Sequence, residues 1–254
     1  MSLVYDVFMY NGEPIVETRI KYLENHVDQF ILIESPWTFS GNKKQIYSDN
    51  ASFRTHPKLK IIIIDDYIKG DAWATEALHR NSAFPKLLNN DGDCFILSDC
   101  DEIPAIESLD NFKNICNSND PKYIKIRQNF YYYNFNWKKN KQWTFPVVAN
   151  TAMLKKNTSQ QLRSGNTNNI IESGWHISYA LPLKEIRRKI ESFSHQEYNL
   201  KELKTDEHIK NCLINGKDLF NRGFEEDCIW ENEESLPDIL KQFNNVIKKA
   251  QQKE

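Results

Sequence analysis

The chain has 254 residues, 40% hydrophobic and 27% charged, with 8 Gly and 9 Pro, which excludes a fibrous or disordered protein and suits one large α/β domain. A net charge of −2 with dispersed Lys and Arg gives no general attraction for nucleic acid, and no window reaches the roughly 18 apolar residues of a membrane span. Five cysteines without CxxC spacing suggest neither a disulfide framework nor a zinc knuckle, and with no basic-then-apolar leader read at the N-terminus a reducing, cytoplasmic location is expected.

LVYDVFMY (3–10) reads as a first strand, and EPIVETRIKYLENHV as an amphipathic helix with Pro14 in its first turn. QFILIES (29–35) is a second strand. KLKIIIID (58–65), a continuous β-branched run, is a third, of the kind covered on both faces. DAWATEALHRNSAFPKLL (71–88) keeps helical spacing until Pro85, and DCFILSD (93–99) is strand four. Three strand–connection–strand repeats imply right-handed crossovers and a mostly parallel, Rossmann-like α/β sheet. After residue 120 the texture turns to β structure, in YIKIRQNFYYYNFNW (123–137), WTFPVVANTAML (143–154) and ESGWHISYA (172–180). It ends as helix over 182–193, over 205–216 with Gly216 as C-cap, and over 236–252.

Ligands of such sheets bind outside the carboxyl ends of the strands, where Glu34, Asp65, Asp66 and the acids of FILSDCDEIP all fall. Asp99 and Asp101, two apart on a chain leaving a strand, can present their carboxylates on one side. Such oxygens suit Mg²⁺ or Mn²⁺, ions that retain waters and also take phosphate oxygens. The bland alternative is a solvated acidic turn, with Asp101 or Glu102 capping a helix that begins at Pro104.

The blocks YDVFMYNGE, IESPWTFSG, DAWATEALHRN, LSDCDEIP, GWHISY and KIESFSHQE, in this order over roughly residues 4–220, resemble glycosyltransferase family 17. That group includes the β-1,4-N-acetylglucosaminyltransferase that places the bisecting residue on N-glycans. The resemblance implies a GT-A fold, a nucleotide-sugar donor, a divalent cation and inversion at the anomeric carbon. The SHQE segment looks like the bacterial and viral members, and no anchor of the animal type is read, so a protein N-glycan is not implied as acceptor.

On this resemblance residues 1–220 form the GT-A domain, with a donor-binding half over about 1–120, an acceptor half over about 121–220, and a helical extension over 221–254. The expected reaction is inverting, metal-dependent transfer of N-acetylglucosamine from UDP-GlcNAc to a glycan acceptor in β linkage. Two other readings stand beside it: a metal-dependent nucleotidyltransferase or phosphohydrolase using the same carboxylates, and a carbohydrate-binding protein without catalysis. The absence of a GxxxxGK[ST] loop weighs against the first, and the intact Asp99, Asp101, Arg80 and His176 against the second.

Asp101 is the principal expected metal ligand, Asp99 reaches ribose hydroxyls or the metal through water, and Glu102 orients Asp101 or meets the sugar. His176 is either the third ligand or a satisfied core histidine. Arg80, one turn after Glu76, pairs with it or reaches a donor phosphate or sugar hydroxyl. Glu34 and Asp66 could accept from uracil N3–H or ribose. The base that inversion requires is assigned to Glu197, with His195, Glu172 and Asp206 as other candidates; SHQEYN could equally be a loop closing over the donor. Tyr131, Tyr132, Tyr133, Phe135, Trp137 and Trp143 form a sugar platform or core, with Trp137 favoured for acceptor contact.

Overall fold

Phe30, Ile31, Leu32 and Ile33 are all buried, as are Phe95, Ile96 and Leu97, so these runs sit where a sheet is covered on both faces. The computed structural model describes residues 2–88, 92–118 and 120–253. Strands β1 (Val4–Met9), β2 (Gln29–Glu34), β3 (Leu59–Ile63) and β4 (Cys94–Asp99) pair in parallel in the order β3-β2-β1-β4. Helix α1 (Ile15–Leu23) and α3 (Leu109–Cys116) cover one face through Val16, Ile20, Leu23 and Phe112. The other face is covered by the segment after α2 (Ala72–Asn81), with Phe84 and Leu87, together with α4 (Thr151–Leu154) and α5 (Ser159–Ser164) through Leu154 and Leu162. The result is a mixed α/β fold whose central parallel strands lie between two helical layers.

Beyond β4 the sheet becomes mixed. After the two-residue β5 (Glu102–Ile103) come β6 (Tyr123–Tyr132), β7 (Trp137–Lys139), β8 (Val147–Asn150), β9 (Ile170–Ser178) and β10 (Cys228–Trp230). β8 pairs antiparallel with both β4 and β6, while β9 lies parallel to β6 and antiparallel to β5. Helices α6 (Leu183–Ser192) and α7 (Asp206–Asn215) pack on this half through Ile186, Ile190, Ile209 and Leu213.

Several sequence expectations shift. The isoleucine run of β3 lies at the sheet edge, with Ile63 46% exposed, because only β2 pairs with it among the described residues. No α-helix starts at Pro104: Glu102 is taken into a two-residue strand, a 3-10 turn over Ile106–Ser108 follows, and the α-helix begins at Leu109, so the acids of the turn cap no helix. Residues 151–154 are helix rather than strand, since Asn150 caps them by accepting from Met153 N. The stretch 221–254, expected as a helical extension, also supplies the edge strand β10. Its helix α8 (Asp238–Gln252) buries Leu240, Phe243 and Ile247 against Ile15, Tyr131 and Phe135. Gly216 does close α7, at φ +64 in the left-handed region.

Candidate active site

The turn after β4 carries its acids on a backbone strapped from behind. Arg19, fully buried on the inner face of α1, donates through Nη1 to the carbonyls of Asp99 (3.1 Å), Cys100 (3.3 Å) and Glu102 (2.7 Å). Its Nε and Nη2 pair with Asp6 on β1 at 2.8 and 2.6 Å. Three carbonyls gathered on one guanidinium fold the Ser98–Glu102 segment tightly, which an alternating strand could not do.

The carboxylates then part company. Glu102 is fully buried and accepts from Arg163 Nη1 (2.6 Å) and Nη2 (2.9 Å), from Trp143 Nε1 (2.5 Å) and from Asp99 N (2.7 Å). Asp99 takes Arg80 Nη1 on Oδ1 at 2.7 Å and Arg163 Nη2 on Oδ2 at 2.9 Å. Burial raises the Asp99 carboxyl, but Arg163 and Arg80 outweigh it and hold the group below its usual value.

Asp101 faces differently. Its Oδ2 accepts from Lys189 Nζ at 2.9 Å, and its Oδ1 stands 3.5 Å from His176 Nε2, too far for a strong hydrogen bond. Burial works against its charge, yet Lys189 and His176 keep it well below the usual carboxylate range. His176 is stacked on Phe130, with ring centroids 4.6 Å apart, and its buried Nδ1 has no partner among the described residues. It reaches Asp101 because β9 runs against β5, pairing His176 with Glu102. Gly174 permits that approach: at φ +81, a Cβ there would lie 2.0 Å from the Ile103 carbonyl oxygen.

Asp99, Asp101, Arg80, Arg163, His176 and Lys189 all line one cavity of about 500 Å³. It opens at the carboxyl ends of β1, β2 and β4, where a parallel sheet presents its ligands.

The sequence profile of glycosyltransferase family 17 matches residues 2–250. The chain belongs to glycosyltransferase family 17. The family makes it a glycosyltransferase, which works on a sugar donor and an acceptor. No curated protein matches the chain. Among solved structures it is similar to a 4-diphosphocytidyl-2C-methyl-D-erythritol synthase at 10% identity and TM-score 0.43, over 68% of this chain and 90% of that one. It is also similar to residues 1–349 of S. aureus TarS at 15% identity and TM-score 0.44, over 85% of this chain and 71% of that one. Among the described residues no helix is long and apolar enough to cross a membrane.

Several expected site residues of this family 17 chain lie elsewhere than the sequence suggests. Glu34 lines the cavity, but its carboxylate is spent on Lys44 Nζ (2.9 Å), Tyr47 N (2.6 Å) and Ser48 N (3.0 Å), so it shapes the 44–48 loop. Asp66 is exposed outside the cavity, and its carbonyl is engaged by His79 at 2.7 Å. Trp137 is packing: its Nε1 donates to the Leu213 carbonyl and its ring lies against Gly216 and Trp230, whereas Trp143 and the 44% exposed Phe145 line the cavity. Glu102 is sealed beneath the cavity floor. Arg80 pairs with Glu76 at 2.5 Å, as its spacing suggests, and also with Asp99.

Of the base candidates, Glu172 pairs with Arg127 and Asp206 with Arg187, both outside the cavity. Glu197 also lies outside it, 2.6 Å from His195 Nδ1, while His195 is at the cavity wall with its ring edge on Trp73. Its carboxyl is lowered, with burial opposing and the His195 hydrogen bond prevailing.

As for the divalent ion, no group of three or more His, Cys, Asp or Glu side chains gathers to hold a metal among the described residues. Asp101 and His176 are the two that could hold one, with phosphate and water as the remaining ligands. Asp99 has both oxygens on guanidinium groups and does not join them. Arg19, Arg163 and Lys189 were missed by the sequence reading. One signal pointed to them: three acids ending a buried strand require cations from elsewhere in the chain.

Proposed function

We propose that the chain is an inverting glycosyltransferase of GT-A, Rossmann-like arrangement that transfers N-acetylglucosamine from UDP-GlcNAc to a hydroxyl of a glycan acceptor in β linkage, with Mn²⁺ or Mg²⁺ bound. The observation that carries this reading is the pairing of Asp101 with His176 on the cavity wall at the parallel-strand edge, in a chain of this family. Residues 1–120 supply most of the donor side, residues 121–220 most of the acceptor side together with His176 and Lys189, and 221–254 close the fold and bring Arg222 to the cavity.

Asp101 and His176 would hold the divalent ion, which supplies positive charge to the departing diphosphate. Asp99 is braced by two arginines and keeps a 33% exposed carboxylate for ribose or sugar hydroxyls. In the transfer the acceptor oxygen bonds to the anomeric carbon as the bond from that carbon to the diphosphate oxygen breaks, its electron pair leaving on the diphosphate. The acceptor proton goes to a base on the opposite face. His195 takes that role, because a hydrogen bond from Nδ1–H to Glu197 leaves Nε2 as a free acceptor. Glu197 is then the residue that orients the imidazole. Trp73, Trp143 and Phe145 at the wall offer rings to sugar C–H faces.

The test is a thermal-shift screen of nucleotide sugars with and without Mn²⁺ on the wild type and Asp101→Ala. A metal-dependent rise in Tm with UDP-GlcNAc, lost in the variant, is expected. Stabilisation by nucleoside triphosphates alone would transfer the site to nucleotidyl chemistry.

A further inference from the structure

Lys189 belongs to the block KIESFSHQE, yet neither the metal site nor the base uses it. It projects from α6 into the cavity wall, above the ring of Tyr179 at 5.1 Å, with its Nζ 2.9 Å from Asp101 Oδ2. An ammonium has three N–H donors, and among the described residues a protein acceptor takes one of Lys189's.

The two arginines beside it are more heavily committed, and the cavity's other basic side chains, Arg222 and Lys141, are turned to Asp218 and Glu226 and away from Asp101. Arg163 is divided among Asp99, Glu102 and the Leu97 carbonyl, and Arg80 is held between Glu76 and Asp99. Both guanidinium groups are clamped in place by carboxylates. A diphosphate entering here brings further negative charge into a pocket whose acids are already matched. It needs a cation with unspent donors.

We propose that Lys189 is a diphosphate-binding residue of the donor site: its ammonium, anchored on Asp101, gives its two remaining N–H donors to phosphate oxygens. This rests on the nucleotide-sugar reading for its biological ligand, but the geometry concerns only two linked phosphates. Tyr179 fixes the ammonium's height above the floor, and it does so from a left-handed backbone at φ +59 that a non-glycine residue seldom adopts.

The experiment measures inorganic pyrophosphate binding by calorimetry in EDTA, and Mn²⁺ binding alone by electron paramagnetic resonance, on the wild type, Lys189→Met and Lys189→Arg. Charge-assisted hydrogen bonds of this kind predict at least about a tenfold loss of pyrophosphate affinity in Lys189→Met. Lys189→Arg, which keeps the charge, should stay within about threefold, and it tests the idea should the methionine variant not fold. Mn²⁺ alone should bind Lys189→Met at least as tightly as the wild type, since a positive neighbour has left Asp101. A residue that merely orients Asp101 would show the reverse, with weaker Mn²⁺ binding and unchanged pyrophosphate binding. That result, or a wild type that binds no pyrophosphate without metal, overturns the proposal. Pyrophosphate binding through Lys189 in a protein that binds no UDP-GlcNAc would instead remove the donor reading and leave this one standing.

Discussion

Two clusters of buried charge use the same residue types and differ in what they leave open. Near Tyr132, Asp218 accepts on Oδ2 from Phe220 N, Arg222 N and Arg222 Nε, and on Oδ1 from Arg222 Nη2 at 2.6 Å, with Lys139 Nζ at 3.5 Å. Both of its oxygens are answered by the protein itself. At the end of β4, by contrast, Lys189 keeps two donors against the cavity among the described residues. Buried charge alone therefore does not mark a site in this molecule. The mark is a matched cluster that still holds unspent donors and acceptors against a cavity, since those are the atoms a ligand can satisfy.

The comparison breaks if the two clusters respond alike to mutation. The largest effect is expected at Asp101: Asp101→Asn should lower kcat/KM for sugar transfer about 10³-fold, because the charge that would seat the proposed cation is gone. A loss under tenfold would place the site elsewhere. His195→Gln should lower kcat about 10²-fold with KM for the donor little changed, and Glu197→Gln about tenfold, in line with one base and one orienting group. Equal losses in the two variants, or a larger one at Glu197, would reverse their roles.

At the Asp218 cluster, whose Arg222 and Tyr132 line the same cavity while Asp218 itself does not, the expected signature is a loss of stability with little loss of function. Asp218→Asn should cost about 2 kcal/mol in urea unfolding while kcat per folded molecule is retained. The smallest effect is in its pH dependence. Burial raises the Asp218 carboxyl, but the Arg222 hydrogen bonds and Lys139 more than offset this, so its folded pKa lies below the unfolded value of about 3.9. Its stabilisation is thus present above that pH and is lost as pH falls through the folded value. The gap in urea midpoint between wild type and Asp218→Asn should narrow from pH 5 towards pH 2. A constant gap would show that the residue acts through packing.

Local pattern carried the reading where a single segment decides its own environment. The apolar runs of β1, β2 and β4, the helical spacing of α2 and the Gly216 cap were all legible, because side-chain periodicity and left-handed glycine are properties of a few adjacent residues. The same logic misjudged β3, whose isoleucines look buried but sit at an edge; only the number of neighbouring strands settles that. It also left α5 unread, a six-residue helix that carries Arg163 into the site.

The sequence by itself determined a parallel block of four strands and the gathering of acids at its carboxyl edge, since both follow from alternation and chain direction. Which acids are open was decided only in three dimensions. Arg163 reaches Asp99 across 64 residues and Lys189 reaches Asp101 across 88, and whether a carboxylate is sealed or available depends on such distant partners. Charge interactions at this range depend on distance in space, and spacing along the chain does not report it.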